Sequence, residues 1–205
     1  MIDLARKRRE WFLGAKYHIT SRGIRRSALF HDDADREHYL DLLAETKRRH
    51  PFFLHTYCLM TNHIHLQLET ITTPTGVIMQ HLHNKYAKYF NKRYEFTGHV
   101  FENRYDAQWI DSAAYELDVS KYIHLNPLEA NMVTKLEDYR WSSYRSYILQ
   151  EKNPLITTEQ ILSYFPAPQR EEYEKYVNSG FCDPEIDEKG RLVKKEREMP
   201  SFLMF

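Results

Sequence analysis

Hydrophobic and polar positions alternate first between Lys16 and Arg22, where the run Tyr17-His18-Ile19-Thr20-Ser21 reads as a short strand, with Arg22-Gly23 as the turn behind it. Asp32-Asp33 then opens a helix that runs through Arg49 and buries a stripe of Tyr39, Leu40, Leu42, Leu43 and Thr46; Pro51 ends it. Phe53 to Met60 and His63 to Glu69 read as two strands joined through the tight turn Thr61-Asn62. Thr72 to Gly76 breaks the pattern, and a second helix from about Val77 to Arg93 carries Ile78, Leu82, Tyr86, Tyr89 and Phe90 at helical spacing. Val100 to Ile110 reads as a strand with a loop inside it. A third helix starts near Asp111-Ser112 and ends at Asn126-Pro127. Strand, helix, strand, strand, helix, strand is the order of an α+β, ferredoxin-like sandwich: a central antiparallel sheet with helices packed on it.

Beyond Trp141-Ser142-Ser143-Tyr144 the pattern changes. Two short helices are expected, Thr158 to Phe165 and Gln169 to Val177, before a charged, aperiodic end from Asp183 to Met199. The chain therefore divides into a main domain, residues 1–148, and a short helical C-terminal extension with a charged tail, residues 149–205.

Composition narrows the class. A chain of 205 residues that is 42% hydrophobic and 14% aromatic is long enough and apolar enough to bury a core, which excludes a disordered chain. Its two cysteines, Cys58 and Cys182, cannot make a disulfide framework, so a reducing cytosol is expected. No apolar run reaches the ~18 residues of a membrane span, and Met1 to Trp11 holds no signal-peptide core; a soluble, cytoplasmic protein is expected. The formal net charge of zero hides an asymmetry: residues 1–148 hold 21 basic and 18 acidic side chains, residues 149–205 hold 8 and 11. The basic residues cluster at Arg6 to Arg9, at Arg22, Arg25 and Arg26, at Lys47 to Arg49, and at Lys85, Lys88, Lys92 and Arg93. Such clusters are either solvated surface or phosphate-binding patches, and charge alone does not choose between them.

Two groupings carry candidate chemistry. In Asn62-His63-Ile64-His65-Leu66 the alternation of a strand turns His63 and His65 to one face, about 7 Å apart, close enough to share one divalent cation. The alternative is a pair of ordinary strand histidines. His81 and His83 have the same spacing on a helix, where i and i+2 do not share a face. The other grouping is Tyr122 and Asn126, one helical turn apart. A tyrosine hydroxyl is a poor nucleophile at its free pKa of about 10 and needs help; a metal that polarises the phosphate under attack supplies it, and the amide oxygen of Asn126 is placed to join that metal's ligands. With 15 tyrosines in the chain, packing is the alternative role for Tyr122.

Taken together these blocks resemble a known family. Leu59-Met60-Thr61-Asn62-His63-Ile64-His65, Gly98-His99-Val100-Phe101-Glu102-Asn103-Arg104-Tyr105, Tyr122-Ile123-His124-Leu125-Asn126-Pro127 and Asp138-Tyr139-Arg140-Trp141-Ser142-Ser143-Tyr144 are similar, in order and spacing, to the IS200-like, single-tyrosine HUH transposases, and to their REP-associated branch in particular. The resemblance runs from about Lys16 to Tyr147. It implies an enzyme that cleaves and rejoins hairpin-bearing single-stranded DNA, with Tyr122 as the nucleophile of a 5′-phosphotyrosine intermediate. It implies His63 and His65 as metal ligands, with Asn126 where the wider superfamily often has a glutamine; His124, two residues from Tyr122, is a weaker candidate. Mg²⁺ or Mn²⁺ suits phosphate oxygens, although two imidazoles also accept Zn²⁺. DNA-binding candidates are Arg22, Arg25, Arg26, Lys85, Lys88, Lys92 and Arg104, the last with an alternative role as ion-pair partner of Glu102 or Asp106. No Walker loop is visible, in keeping with strand joining without ATP. Two other classes stay open beside a working transposase: a domesticated nucleic-acid-binding protein with little catalysis, and a metal-dependent nuclease that uses water. Monomer or homodimer is left undecided by these residues.

Overall fold

The computed structural model describes residues 11–180 and 192–193. The basic run Arg6 to Arg9 and all of the expected tail except Leu192 and Val193 lie outside the described residues. Strand β1 (Lys16–Arg22) leads through a short 3₁₀ turn (Ile24–Arg26) to helix α1 (Asp33–Arg49). Asp32 caps α1, its carboxylate accepting from the Asp35 N–H at 3.0 Å, as an N-cap aspartate should. Strands β2 (Phe52–Leu59) and β3 (His63–Thr70) form the expected hairpin, α2 (Thr75–Arg93) follows, and β4 (Asp106–Ile110) completes a four-stranded antiparallel sheet of order β2-β3-β1-β4. This is the expected α+β, ferredoxin-like sandwich. Among the described residues no helix is long and apolar enough to cross a membrane.

Register gives the sheet two unlike faces. Tyr17 pairs with Leu68, Ile19 with Leu66 and Ser21 with Ile64, so one face is largely apolar and buried. Helices α1 and α2 pack together on that face, where His83 of α2 meets Ser21 at 3.3 Å. On the other face His18 pairs with Gln67, Thr20 with His65 and Arg22 with His63. In β2 the register shifts between Leu54 and Thr56. This bulge sends Tyr57 and Leu59 to the apolar side, opposite Leu66 and Ile64, and leaves Thr56 and Cys58 beside Gln67 and His65.

Helix α3 (Ala113–Glu129) packs on β2 and β3 across the polar face. It begins at Ser112, whose hydroxyl accepts from the Tyr115 N–H, as expected. It runs past Pro127, where the sequence suggested a stop. The missing proline N–H removes one bond near the helix end, and the Ala130 N–H, donating to Asn126 O at 2.9 Å, closes the last turn. Its residues 114–127 are buried except for half-buried Asp118, because α4 (Tyr144–Ile148), α5 (Glu159–Leu162) and α6 (Gln169–Asn178) cover its outer side. These helices share a second apolar cluster with Leu117 and Leu125 that includes Tyr144, Tyr147, Phe165 and Tyr173.

The segment before β4 departs from expectation. Only Asp106–Ile110 is strand; Phe101 makes one isolated bridge to Gly23, and Ile24 N–H and Glu102 N–H bond to Val100 O and Arg22 O. Residues 102–104 are exposed. The chain here forms a wall beside the end of β1, because its hydrogen bonds go to the turn after β1 and not to the length of a strand.

Candidate active site

The polar face and α3 bring together side chains from β1, β3 and α3. His63 and His65 project from β3 on the same side, ring centroids 4.9 Å apart and nearly perpendicular. Tyr122 on α3 stands edge-on to His65 at 5.5 Å and to His18 of β1 at 5.8 Å, and it is 5% exposed. One turn along, the Asn126 amide nitrogen donates to Tyr122 O at 2.8 Å. That bond turns the carboxamide oxygen of Asn126 toward the histidines, where it favours the protonated form of both imidazoles. The expected group Tyr122, His63, His65 and Asn126 is therefore gathered in one place.

The imidazole nitrogens are not equivalent. Asn62 donates from its amide nitrogen to Arg26 O at 3.1 Å, so its amide oxygen faces His63 Nδ1, 2.7 Å away. An amide oxygen only accepts, so Nδ1 of His63 carries the proton and Nε2 the lone pair. In His65, Nδ1 lies 3.1 Å from His18 Nε2, while Nε2 is buried with no hydrogen-bond partner among the described residues. Burial, with the Arg22 charge adding to it, pushes the His63 pKa down to about 4; burial foremost holds that of His65 well below the ordinary value. Both are neutral bases at neutral pH.

These donors fit a divalent cation. Among the described residues no three His, Cys, Asp or Glu side chains gather around one point; the third donor is the Asn126 amide. A buried His65 nitrogen, the His63 imidazole whose Nδ1 is taken by Asn62, and the Asn126 amide oxygen make a mixed N/O set of the sort that leaves positions for phosphate and water.

The histidines border a cleft of about 310 Å³, also lined by Arg22, Arg26, Arg104, Glu102 and Asp106. Arg25 and Arg26 both adopt left-handed backbone, φ 51° and 60°, a strained conformation for side-chain-bearing residues. Lys85, Lys88 and Lys92 lie on α2, across the sheet from the histidines, and Lys85 is paired with Glu45 of α1. The structure does not bring them to this cleft. His124 points away from it into the second core, bonded to Ser143 Oγ and the Tyr173 hydroxyl, each at 2.8 Å.

From the sequence, His18 is only a strand residue, Glu102 and Asp106 are only ion-pair partners for Arg104, and Asn62 is only part of a motif. The alternation Lys16, His18, Thr20, Arg22 carries a signal for His18, but placing that set beside His63 and His65 requires the β1–β3 register, a pairing across more than forty residues.

The sheet thus carries a His-x-His pair and, on the same polar face, a tyrosine-bearing helix. A sequence-family profile described as "Transposase IS200 like" matches residues 12–126, more than half of the chain, and the protein belongs to that family. Among solved structures, a REP-associated tyrosine transposase bound to a REP hairpin is similar over 77% of this chain and 93% of its own, with a TM-score of 0.63 at 15% identity, a likeness of fold. A candidate transposase from Deinococcus radiodurans R1 aligns with 65% of this chain and 97% of its own, at 14% identity and a TM-score of 0.41. A search of curated proteins matches none.

Proposed function

We propose that the protein cleaves and rejoins hairpin-bearing single-stranded DNA through a 5′-phosphotyrosine at Tyr122. The observation that carries this reading is the Asn126 carboxamide, tied by its nitrogen to Tyr122 O and turned by its oxygen to His63 and His65. It joins the nucleophile's own helix turn to the donor set. The hydroxyl oxygen of Tyr122 attacks phosphorus and the bond to O3′ breaks. The phenol loses one proton and the departing 3′-hydroxyl gains one, so the step conserves charge. Attack by a 3′-hydroxyl reverses it and releases the tyrosine. Arg22, Arg26 and Arg104 hold the phosphates that flank the scissile one. His63, His65 and Asn126 would hold a divalent cation, Mg²⁺ or Mn²⁺, which when bound would polarise the phosphate and stabilise the leaving oxygen. Because both imidazoles are neutral at neutral pH, no proton must leave them for this.

The test incubates the protein with labelled single-stranded hairpin DNA of pooled sequence and Mg²⁺ or Mn²⁺, and reads a denaturing gel. A covalent adduct that vanishes in Tyr122→Phe is expected. An adduct that survives moves the nucleophile elsewhere. Tight binding with no cleavage identifies a domesticated binder, and cleavage with no adduct identifies a nuclease using water.

A further inference from the structure

We infer that His18 is a positioning residue: it accepts the Nδ1 proton of His65 and so fixes the tautomer in which His65 Nε2 is free to bind the cation. The inference rests on the metal-ligand reading of His63, His65 and Asn126.

The two histidines of the pair are not held alike. For His63 the matter is settled by the Asn62 amide oxygen, which can only accept. For His65 the partner is a second imidazole. His18 Nε2 and His65 Nδ1 are 3.1 Å apart, the rings stacked with centroids 5.3 Å apart and tilted 28°. Two neutral imidazoles share such a contact in one of two directions. If His18 donates, His65 Nδ1 is the acceptor, the proton of His65 sits on Nε2, and His65 cannot ligate. If His65 donates, its Nε2 lone pair is free and faces the side where Asn126 lies. Only the second direction gives both histidines the same arrangement, with Nδ1 engaged and Nε2 available. A ligand's remote nitrogen held by a hydrogen-bond partner is how proteins orient metal-binding imidazoles.

The surroundings favour a fixed pair over a casual contact. His18 is 0% exposed and His65 1%, so no bulk water competes for either nitrogen. The β1–β3 register holds the pair from the backbone: His18 is opposite Gln67 and His65 opposite Thr20, making them diagonal neighbours on one sheet face. Gln67 is itself held, accepting from Thr56 Oγ1 at 2.9 Å and donating to Glu116 O at 3.2 Å. His18 also meets the Tyr122 ring edge-on at 5.8 Å. One side chain thus backs both a cation ligand and the nucleophile.

The experiment uses the full chain and reads Mn²⁺ affinity by electron paramagnetic resonance, beside hairpin affinity without metal and thermal stability. His18→Phe keeps a ring against His65 and removes its nitrogens; His18→Gln returns an acceptor oxygen near the place of Nε2. Phe is expected to weaken Mn²⁺ binding about 10–100-fold, with metal-free hairpin binding unchanged, and Gln to recover most of that loss. A merely structural histidine would move stability in both variants and would not be rescued by Gln. Wild-type protein that binds Mn²⁺ in a manner lost with His63→Ala but kept with His18→Phe overturns the role of His18 and leaves the metal reading standing. Wild-type protein with no Mn²⁺ affinity overturns the metal reading and this inference with it. Should His18→Phe fail to fold, long-range ¹H–¹⁵N spectra of metal-free wild type decide: protonated Nδ1 on His65 is expected, and protonated Nε2 refutes the inference.

Discussion

Acid should destabilise this fold through His124, and by an amount that can be worked out. His124 is 0% exposed, with Nε2 against Ser143 Oγ and Nδ1 against the Tyr173 hydroxyl, each at 2.8 Å. Hydroxyls both donate and accept, so a neutral imidazole is satisfied there, while burial penalises the cation and lowers the pKa to about 3. The unfolded chain takes up the proton near pH 6.5 and the folded chain only near pH 3, so folding expels it. Stability is complete above the unfolded value, falls as pH drops through that window, and levels off below the folded value. With about 1.36 kcal/mol per pH unit, the loss from His124 is about 2 kcal/mol at about pH 5. Urea unfolding with chelator present, at about pH 7.5 and about pH 5, measures it; with a slope of about 2 kcal/mol per molar, the midpoint should fall by about 1 M from this residue alone. His63, His65 and His83 act in the same direction, so the decisive quantity is a difference of differences. His124→Gln should be less stable at the higher pH, yet lose about 2 kcal/mol less than wild type on acidification. Parallel losses in the two proteins would refute the assignment.

Removing a cation from the cleft should act on DNA binding through counterion release. Arg26→Ala or Arg104→Ala should each reduce the slope of log affinity against log salt by about 0.7 for single-stranded DNA, whereas Lys88→Ala, on the far side of the sheet, should leave the slope and the rate of adduct formation unchanged. Leu125→Ala, in the cluster between α3 and the C-terminal helices, should cost about 2–5 kcal/mol in denaturant unfolding; a cost under about 0.5 kcal/mol would mean that this cluster does not hold α3.

What could be read from the chain alone was what depends on near neighbours. The bounds of β1 follow from alternation, those of α1 from Asp32 and Pro51, and the shared face of His63 and His65 from a two-residue period. Tyr122 and Asn126 meet because four residues make one helical turn. Long-range pairing supplied the rest. His18 enters the site through the β1–β3 register. The lysines of α2 leave it because α2 covers the apolar face, where Ser21 meets His83, and neither fact has a local signature. Val100 to Tyr105 reads as strand because it is apolar at its start; its partner is the turn after β1, which periodicity does not reveal. Pro127 suggests a helix end, and the packing on both sides of α3 overrides it.

The helix that carries Tyr122 explains why a small sandwich needs its C-terminal helices. Tyr122 and Asn126 face the sheet, and on the opposite side of α3, about half a turn away, lie Leu117, Ser120 and His124, all 0% exposed. A helix apolar or hydrogen-bonded all round must be covered all round. The sheet covers one side; α4, α5 and α6 cover the other, with Tyr173 of α6 bonded to both His124 and Ser120. Polar links tie the same layer to the sheet: Ser143 Oγ accepts from Tyr57 N–H at 3.0 Å, and the Tyr147 hydroxyl donates to His55 O at 2.8 Å. The family match ends at residue 126, so the layer that clamps α3 from outside lies beyond the part of the chain by which the family is recognised. In the proposed reaction, attack on phosphorus would be sensitive to placement on the scale of about 1 Å, and Tyr122, borne on a helix gripped from two sides, would keep that placement where a residue on a loop would not. The C-terminal helices thus contribute to the site through α3 without entering the cleft.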